Sequence, residues 1–160
     1  MASGDNLVFF HPWDARQLTA AYTNVGLLTS ATSVERFLVL EPFNTNPIAF
    51  NGIMSEYYSG GGVTCTIVWT HSANTGTIGW SLGFRTLTLG ENLTSSHTYD
   101  YNSIAPTVPS QINEVGYDDI TFTDGADMDN VGAGDFFSIK IYRDSGSGTT
   151  RLLGISIKET

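Results

Sequence analysis

The sequence predicts an all-β protein, an antiparallel two-sheet β-sandwich of jelly-roll type with eight to ten strands in a single domain over 1–160. Three observations carry this. Apolar residues recur every second position in many short runs, the period of a strand with one buried face. No stretch holds a convincing helical period. Glycine is abundant, and Gly, Pro, Asn and Ser clusters punctuate the runs, the pattern of many strands joined by turns.

The clearest runs lie between Gly60 and Arg85. Val63, Cys65, Ile67 and Trp69 share one face, and after a polar stretch Ile78, Trp80, Leu82 and Phe84 share another. Two such runs around a short polar loop predict a neighbouring antiparallel pair at the centre of the sandwich. Upstream, Leu7 to Phe10 reads as an edge strand stopped by Pro12. Trp13 to Ser33 reads mostly as loop, with room for a helical turn or two over Asp14 to Tyr22. Val34 to Leu40 and Ile48 to Met54 read as strands separated by Asn44-Thr45-Asn46-Pro47, and Gly60-Gly61-Gly62 marks a sharp turn or bulge. Downstream, His97 to Ile104 places His97, Tyr99 and Tyr101 on one face. Ile120 and Phe122 lie in phase, as do Phe137, Ile139 and Ile141, and Leu153, Ile155 and Ile157 close the chain as a last strand. Asp124 to Asp135 reads as a loop or a single helical turn.

Composition narrows the function. At 160 residues the chain is long enough to bury roughly 70% of its unfolded surface. Charged residues are 14% of the chain, against about 25% in an average domain. The formal charge is −9 and only seven residues are Lys or Arg, which speaks against nucleic-acid or anionic-membrane partners. No apolar run reaches the ~20 residues of a membrane span. The N-terminus shows no basic segment before an apolar core, so no signal peptide and synthesis in the host cytoplasm are expected. Asn92-Leu93-Thr94 is then a chance match to a glycosylation acceptor. Cys65, the single cysteine, reads as a small buried hydrophobe rather than a reactive thiol.

Candidate chemistry is sparse. Seven of the sixteen carboxylates fall between Glu114 and Asp135. Asp124, Asp127 and Asp129, with Asn130, could give several hard oxygens to a structural calcium, although the spacing is not that of an EF-hand. Turn chemistry is the competing explanation, because Asp and Asn beside Gly bond their own backbone. No other cofactor is indicated. His11, His71 and His97 stand apart without ligand spacing, and no nucleophile elbow occurs, so no enzyme is expected. Trp13, Tyr57, Tyr58, Tyr99, Tyr101 and Tyr142 do not all fit a core. Such rings either hold sugars by stacking and neighbouring hydrogen bonds or cover sheet ends and oligomer interfaces. Tyr142-Arg143-Asp144 reads as a strand end with a local exposed ion pair.

The series Phe50-x-Gly52, Tyr57-Tyr58-Ser59-Gly60-Gly61-Gly62-Val63, Val68-Trp69, Gly79-Trp80, Phe122-Thr123-Asp124-Gly125-Ala126-Asp127-Met128, Ala133-Gly134-Asp135-Phe136 and Tyr142-Arg143-Asp144 resembles short jelly-roll-like structural proteins of tailed phages, from about Asn46 to the C-terminus. The resemblance implies a non-enzymatic virion component: a capsid decoration (cement) protein or a head or tail fibre subunit. It further implies a homotrimer on the particle, with the major capsid protein or other virion proteins as partners. No functional residue is carried over. The alternative is a carbohydrate-binding β-sandwich, either for receptor recognition or as a lectin-like module with a glycan partner.

Overall fold

A computed structural model describes residues 6–17, 25–29, 34–40, 47–92 and 98–160. These form β1 (Asn6–Phe10), β2 (Arg16–Gln17), β3 (Val25–Thr29), β4 (Val34–Leu40), β5 (Ile48–Ile53), β6 (Val63–His71), β7 (Gly79–Thr86), β8 (Asp100–Ile104), β9 (Val115–Phe122), β10 (Phe136–Ser145) and β11 (Thr150–Glu159). One sheet runs β3-β4-β11-β6-β9, and β1 also joins β11. The other runs β2-β5-β10-β7-β8. All pairs are antiparallel. The expected β-sandwich is the fold observed. Strands β2 and β3 are additional and fall within the stretch read as mostly loop. The helical turn there is a short 3-10 turn, Pro12–Asp14. Arg16–Gln17 are strand rather than helix, and residues 18–22 of the Asp14 to Tyr22 helix candidate, Asn44 to Asn46, Leu93-Thr94 and His97 lie outside the described residues. Among the described residues, no helix is long and apolar enough to cross a membrane.

One central expectation is corrected. Strands β6 and β7 do not pair; β6 lies in the first sheet and β7 in the second. The intervening 72–78 segment is longer than a two- to five-residue hairpin loop, and it spans the gap of about 10 Å between stacked sheets. The two indoles therefore meet across the core, from opposite sheets, instead of side by side in one sheet. Their rings pack edge-on at 5.8 Å. The same crossing recurs at β5–β6, β8–β9, β9–β10 and β10–β11, so the chain alternates between layers.

The alternating runs fill the space between the sheets. Val63, Cys65, Ile67 and Trp69 from β6 face Trp80, Leu82 and Phe84 from β7, all fully buried. Phe84 also bridges the layers, edge-on to Phe122 of β9 at 4.9 Å and stacked on Phe137 of β10 at 5.7 Å. Each such ring removes a large apolar area from water. Cys65 is buried as expected, and burial pushes its thiol far above the ordinary range, with Asp119 adding to the effect. In β11 the phase differs from the one read. A bulge at Leu153 breaks the register between Leu152 and Gly154, so Leu152 enters the core in place of Leu153, ahead of Ile155 and Ile157.

The glycine run before β6 is a tight turn. Gly62 has φ +84°, and a Cβ there would lie 2.5 Å from the carbonyl oxygen of Phe122. Its N–H donates to the Tyr58 hydroxyl at 3.1 Å, and its carbonyl accepts from Thr160 at 3.1 Å. Gly62→Ala should therefore cost about 2 kcal/mol or more and lower the melting temperature by about 4–8 °C. Thermal unfolding checks this; an unchanged melting temperature would contradict the turn as described.

Candidate functional site

The second sheet carries an unusual outer face. On β7 the outward positions are Gly79, Ser81, Gly83 and Arg85, small for most of their length. Facing them in register are Ser103 and Tyr101 on β8, and Ser138, Lys140 and Tyr142 on β10. Because β7 offers so little bulk, rings from its neighbours lie down over it. A Cβ on Gly83 would sit 2.7 Å from Cδ1 of Tyr101, so only a glycine leaves room for that ring. Tyr101 meets Tyr142 edge-on at 5.5 Å and Tyr99 at 6.0 Å. The Tyr99 hydroxyl reaches Ser138 Oγ at 3.1 Å. The three tyrosines form one platform, with Tyr101 at its most exposed point (36%). Burial raises the Tyr101 phenol well above its ordinary value, with Tyr142 and Tyr99 adding to the shift, so the ring stays neutral.

Polar groups border the rings. Ser81 donates to Asp144 Oδ2 at 2.8 Å and, its proton so used, accepts from Ser103 at 2.6 Å. Gly79 makes this possible, since a Cβ there would collide with the Asp144 carboxylate. Lys140 stands on β10, the middle strand, between Ala49 of β5 and Gly83 of β7. Its Nζ lies 5.4 Å from the Tyr99 centroid and 5.9 Å from that of Tyr101, within cation–π range. Arg85, by contrast, is held in an ion pair with Glu91. An aromatic platform ringed by hydroxyls, a carboxylate and an ammonium can stack on an apolar ring face and hydrogen-bond its rim.

The other sequence candidates are placed elsewhere. Trp13 and Tyr57 are exposed (53% and 69%), but neither lies on the platform. Tyr58 is not a spare surface ring: it is buried, donates to Asp124 Oδ1 at 2.7 Å and accepts from Gly62. Burial first, then the Asp124 bond, push its phenol up to about 12. His71 is buried, accepting from Ala73 N–H at 3.0 Å on Nδ1 and donating from Nε2 to Ser147 O at 2.9 Å. His11 is exposed and packs edge-on to Phe9. Arg143 is not an exposed strand end. It is buried and donates to the carbonyls of Ser145 (3.0 Å) and Gly148 (2.6 Å), bracing the β10–β11 turn.

The acidic loop does not converge on one point. Asp124 engages Tyr58; Asp127 accepts from Thr123 N at 2.7 Å and Asn102 Nδ2 at 3.1 Å; Asp129 accepts from Thr86 N at 2.7 Å. Among the described residues, no group of three or more His, Cys, Asp or Glu side chains is placed to hold a metal ion. These carboxylates staple the loop to β7, β8 and the turn before β6. Two clefts flank it, of about 570 Å³ beside Thr86–Leu89 and about 330 Å³ beside Tyr58–Gly60. The larger has no aromatic wall, and the smaller has only the buried, committed Tyr58.

Glu159 closes the same end of the sandwich. It accepts from the Ser59 hydroxyl and, at 2.7 Å, from Ser59 N–H. The Ser59 side-chain bond first, then the Ser59 backbone bond, hold its carboxyl below its ordinary value of 4.5, against the opposing effect of burial. A depressed native value means stability present above the unfolded pKa and lost as pH falls through the native one. Denaturation midpoints should therefore fall with acid below about pH 4.5, and less steeply in Glu159→Gln. Equal acid slopes for the two proteins would contradict the role given to Glu159.

The fold places the chain in a recognisable structural class, the jelly-roll β-sandwich shared by carbohydrate-binding modules. It superposes on the CBM22-1 xylan-binding domain from Paenibacillus barcinonensis Xyn10C with a TM-score of 0.57 and 9% identity, covering 99% of this chain and 97% of that one. A family 35 carbohydrate-binding module from Clostridium thermocellum matches at TM-score 0.59 and 12% identity, over 94% and 98% of the two chains. The C-terminal CBM6 of LamC from Zobellia galactanivorans matches at TM-score 0.53 and 15% identity, over 96% and 100%. At such identities the likeness is one of fold. No family model and no curated protein matches the sequence.

Proposed function

We propose that the protein is a non-catalytic carbohydrate-binding β-sandwich that holds glycan on the outer face of its five-stranded sheet. The observation that carries this reading is the tyrosine cluster: Tyr101 lies over Gly83 of β7, with Tyr99 tilted against it and Tyr142 edge-on to it. Sugars present an apolar C–H face and a rim of hydroxyls. The platform offers ring faces to the first, and Ser103 and Asp144 to the second, with Ser81 buried beneath them as their hydrogen-bonded support. The face is open across the strands rather than closed as a pocket, which suits the interior of an extended chain. Structural neighbours that are themselves carbohydrate-binding modules support the same reading.

The capsid decoration protein that the phage resemblance implies is a competing reading, one that would leave this face without a glycan. A receptor-binding virion subunit would use the face for receptor recognition, and a free-standing module would use it on polysaccharide. The test is binding of the purified chain to a broad array of immobilised polysaccharides. Retention on at least one of them, competed by the soluble form, is the expected result; a folded protein that binds none overturns the reading.

A further inference from the structure

Lys140 is the feature of this face that neutral sugar binding leaves without a purpose. It occupies the centre of the sheet, on the strand flanked by β5 and β7, and its side chain is half-buried. Lys and Arg total only seven in a chain of formal charge −9, and the other cations with described side-chain bonds are occupied. Arg85 pairs with Glu91, Arg143 serves the turn carbonyls, and Arg151 donates to Asn113. Among the described residues, Lys140 makes no ion pair and no hydrogen bond; its Nζ stands over two tyrosine faces. Its register neighbours, Ala49 and Gly83, have no polar side chain to offer.

Resting on the carbohydrate-binding reading, we propose that the ligand is an anionic glycan whose carboxylate or sulfate docks on Lys140 while its sugar ring stacks on Tyr101. Three considerations support this. An ammonium withdrawn from water is costly unless an opposite charge meets it, and burial does lower the pKa of Lys140. An arriving anion would recover that cost as a charge-assisted bond. The tyrosine faces hold the cation over the platform without neutralising it, so a ligand stacked on the rings lies beside it. Finally, a cation on one face of a strongly negative chain discriminates by position: an anionic group is disfavoured over most of the surface and accepted beside Lys140.

The experiment compares matched pairs of polysaccharides: uronate polymers with their carboxyl-reduced forms, and sulfated polymers with their desulfated forms. Wild type, Lys140→Met, Lys140→Arg and Tyr101→Ala are each confirmed folded by thermal melting. Among ligands whose binding is lost in Tyr101→Ala, the charged member should bind at least about tenfold tighter than its neutral partner near 0.15 M salt, where the Debye length of about 8 Å screens the distant carboxylates but not the Lys140 contact. The preference should shrink near 1 M salt, where that length is about 3 Å. Lys140→Met should equalise the pair while keeping affinity for the neutral member, and Lys140→Arg should preserve the preference. Whichever pair responds tells carboxylate from sulfate. Equal or weaker binding of the charged member, or a preference that survives Lys140→Met, overturns the anionic assignment alone. Absence of any ligand sensitive to Tyr101→Ala overturns the carbohydrate-binding face itself.

Discussion

Tyr101→Ala is expected to weaken glycan binding by tenfold or more, about 1.4 kcal/mol for each factor of ten. Tyr101 is the most exposed ring of the platform and touches both other tyrosines, so its loss removes the stacking surface and the edge that keeps Tyr142 in place. Central aromatic anchors of this kind carry a disproportionate share of binding energy. Tyr101→Phe keeps the face and should keep most of the affinity, which separates stacking from hydrogen bonding. Titration calorimetry against the tightest array ligand, with melting temperatures to certify the fold, decides the matter. Unchanged affinity in Tyr101→Ala would move the site off this face.

The second large effect concerns stability and sets the two buried indoles against each other. Trp69 Nε1 donates to Asp118 Oδ2 at 2.6 Å, whereas Trp80 Nε1 is buried without a hydrogen-bond partner among the described residues. Replacing either by Phe removes similar volume, worth about 1 kcal/mol as a residual cavity. Trp69→Phe also deletes a bond to a charged acceptor, adding about 1.5–3 kcal/mol. Trp80→Phe instead removes an unsatisfied donor and regains part of its cost. Trp69→Phe should therefore melt about 6–12 °C below wild type, and Trp80→Phe no more than about 4 °C below. Urea midpoints at unchanged slope would confirm the order; equal losses would mean that the Asp118 bond contributes nothing.

The two indoles also show what was legible in the sequence. Period-two alternation placed Trp69 and Trp80 in the core, and the strand set followed from similar runs. Alternation reports which side of a strand is buried but not which strand lies beside it, so β6 and β7 were paired when they in fact face each other. The β11 phase failed for a local reason, since one bulged residue shifts all that precede it. At the site, the shared strand phase of Tyr99 and Tyr101 does bring them together, while Trp13, Tyr57 and Tyr58 share with them only their aromatic character. Tyr58 shows the limit: its hydroxyl is consumed by Asp124 and Gly62, contacts 66 and 4 residues away in the chain. Lys140 and Asp144 left little trace, because a cation or carboxylate acquires its role from residues brought across by register. A usable signal did exist. The small outward phase of β7 (Gly79, Ser81, Gly83) matches the tyrosine phases of β8 and β10, as a floor matches what is laid on it.

Strand β11 has one further consequence, for the order in which the protein can be made. Thr150–Glu159 pairs with β6 along one edge and with both β4 and β1 along the other. During synthesis β1 waits unpaired, and β4 and β6, beside β3 and β9, each keep one edge open until residues 150–159 have left the ribosome. The six-stranded sheet can therefore close only after β11 emerges, and with pairings of such long sequence separation that closure is slow. Until then those open edges invite pairing with other chains, and a chaperone that shields β4 and β6 during that interval would raise the yield of folded protein.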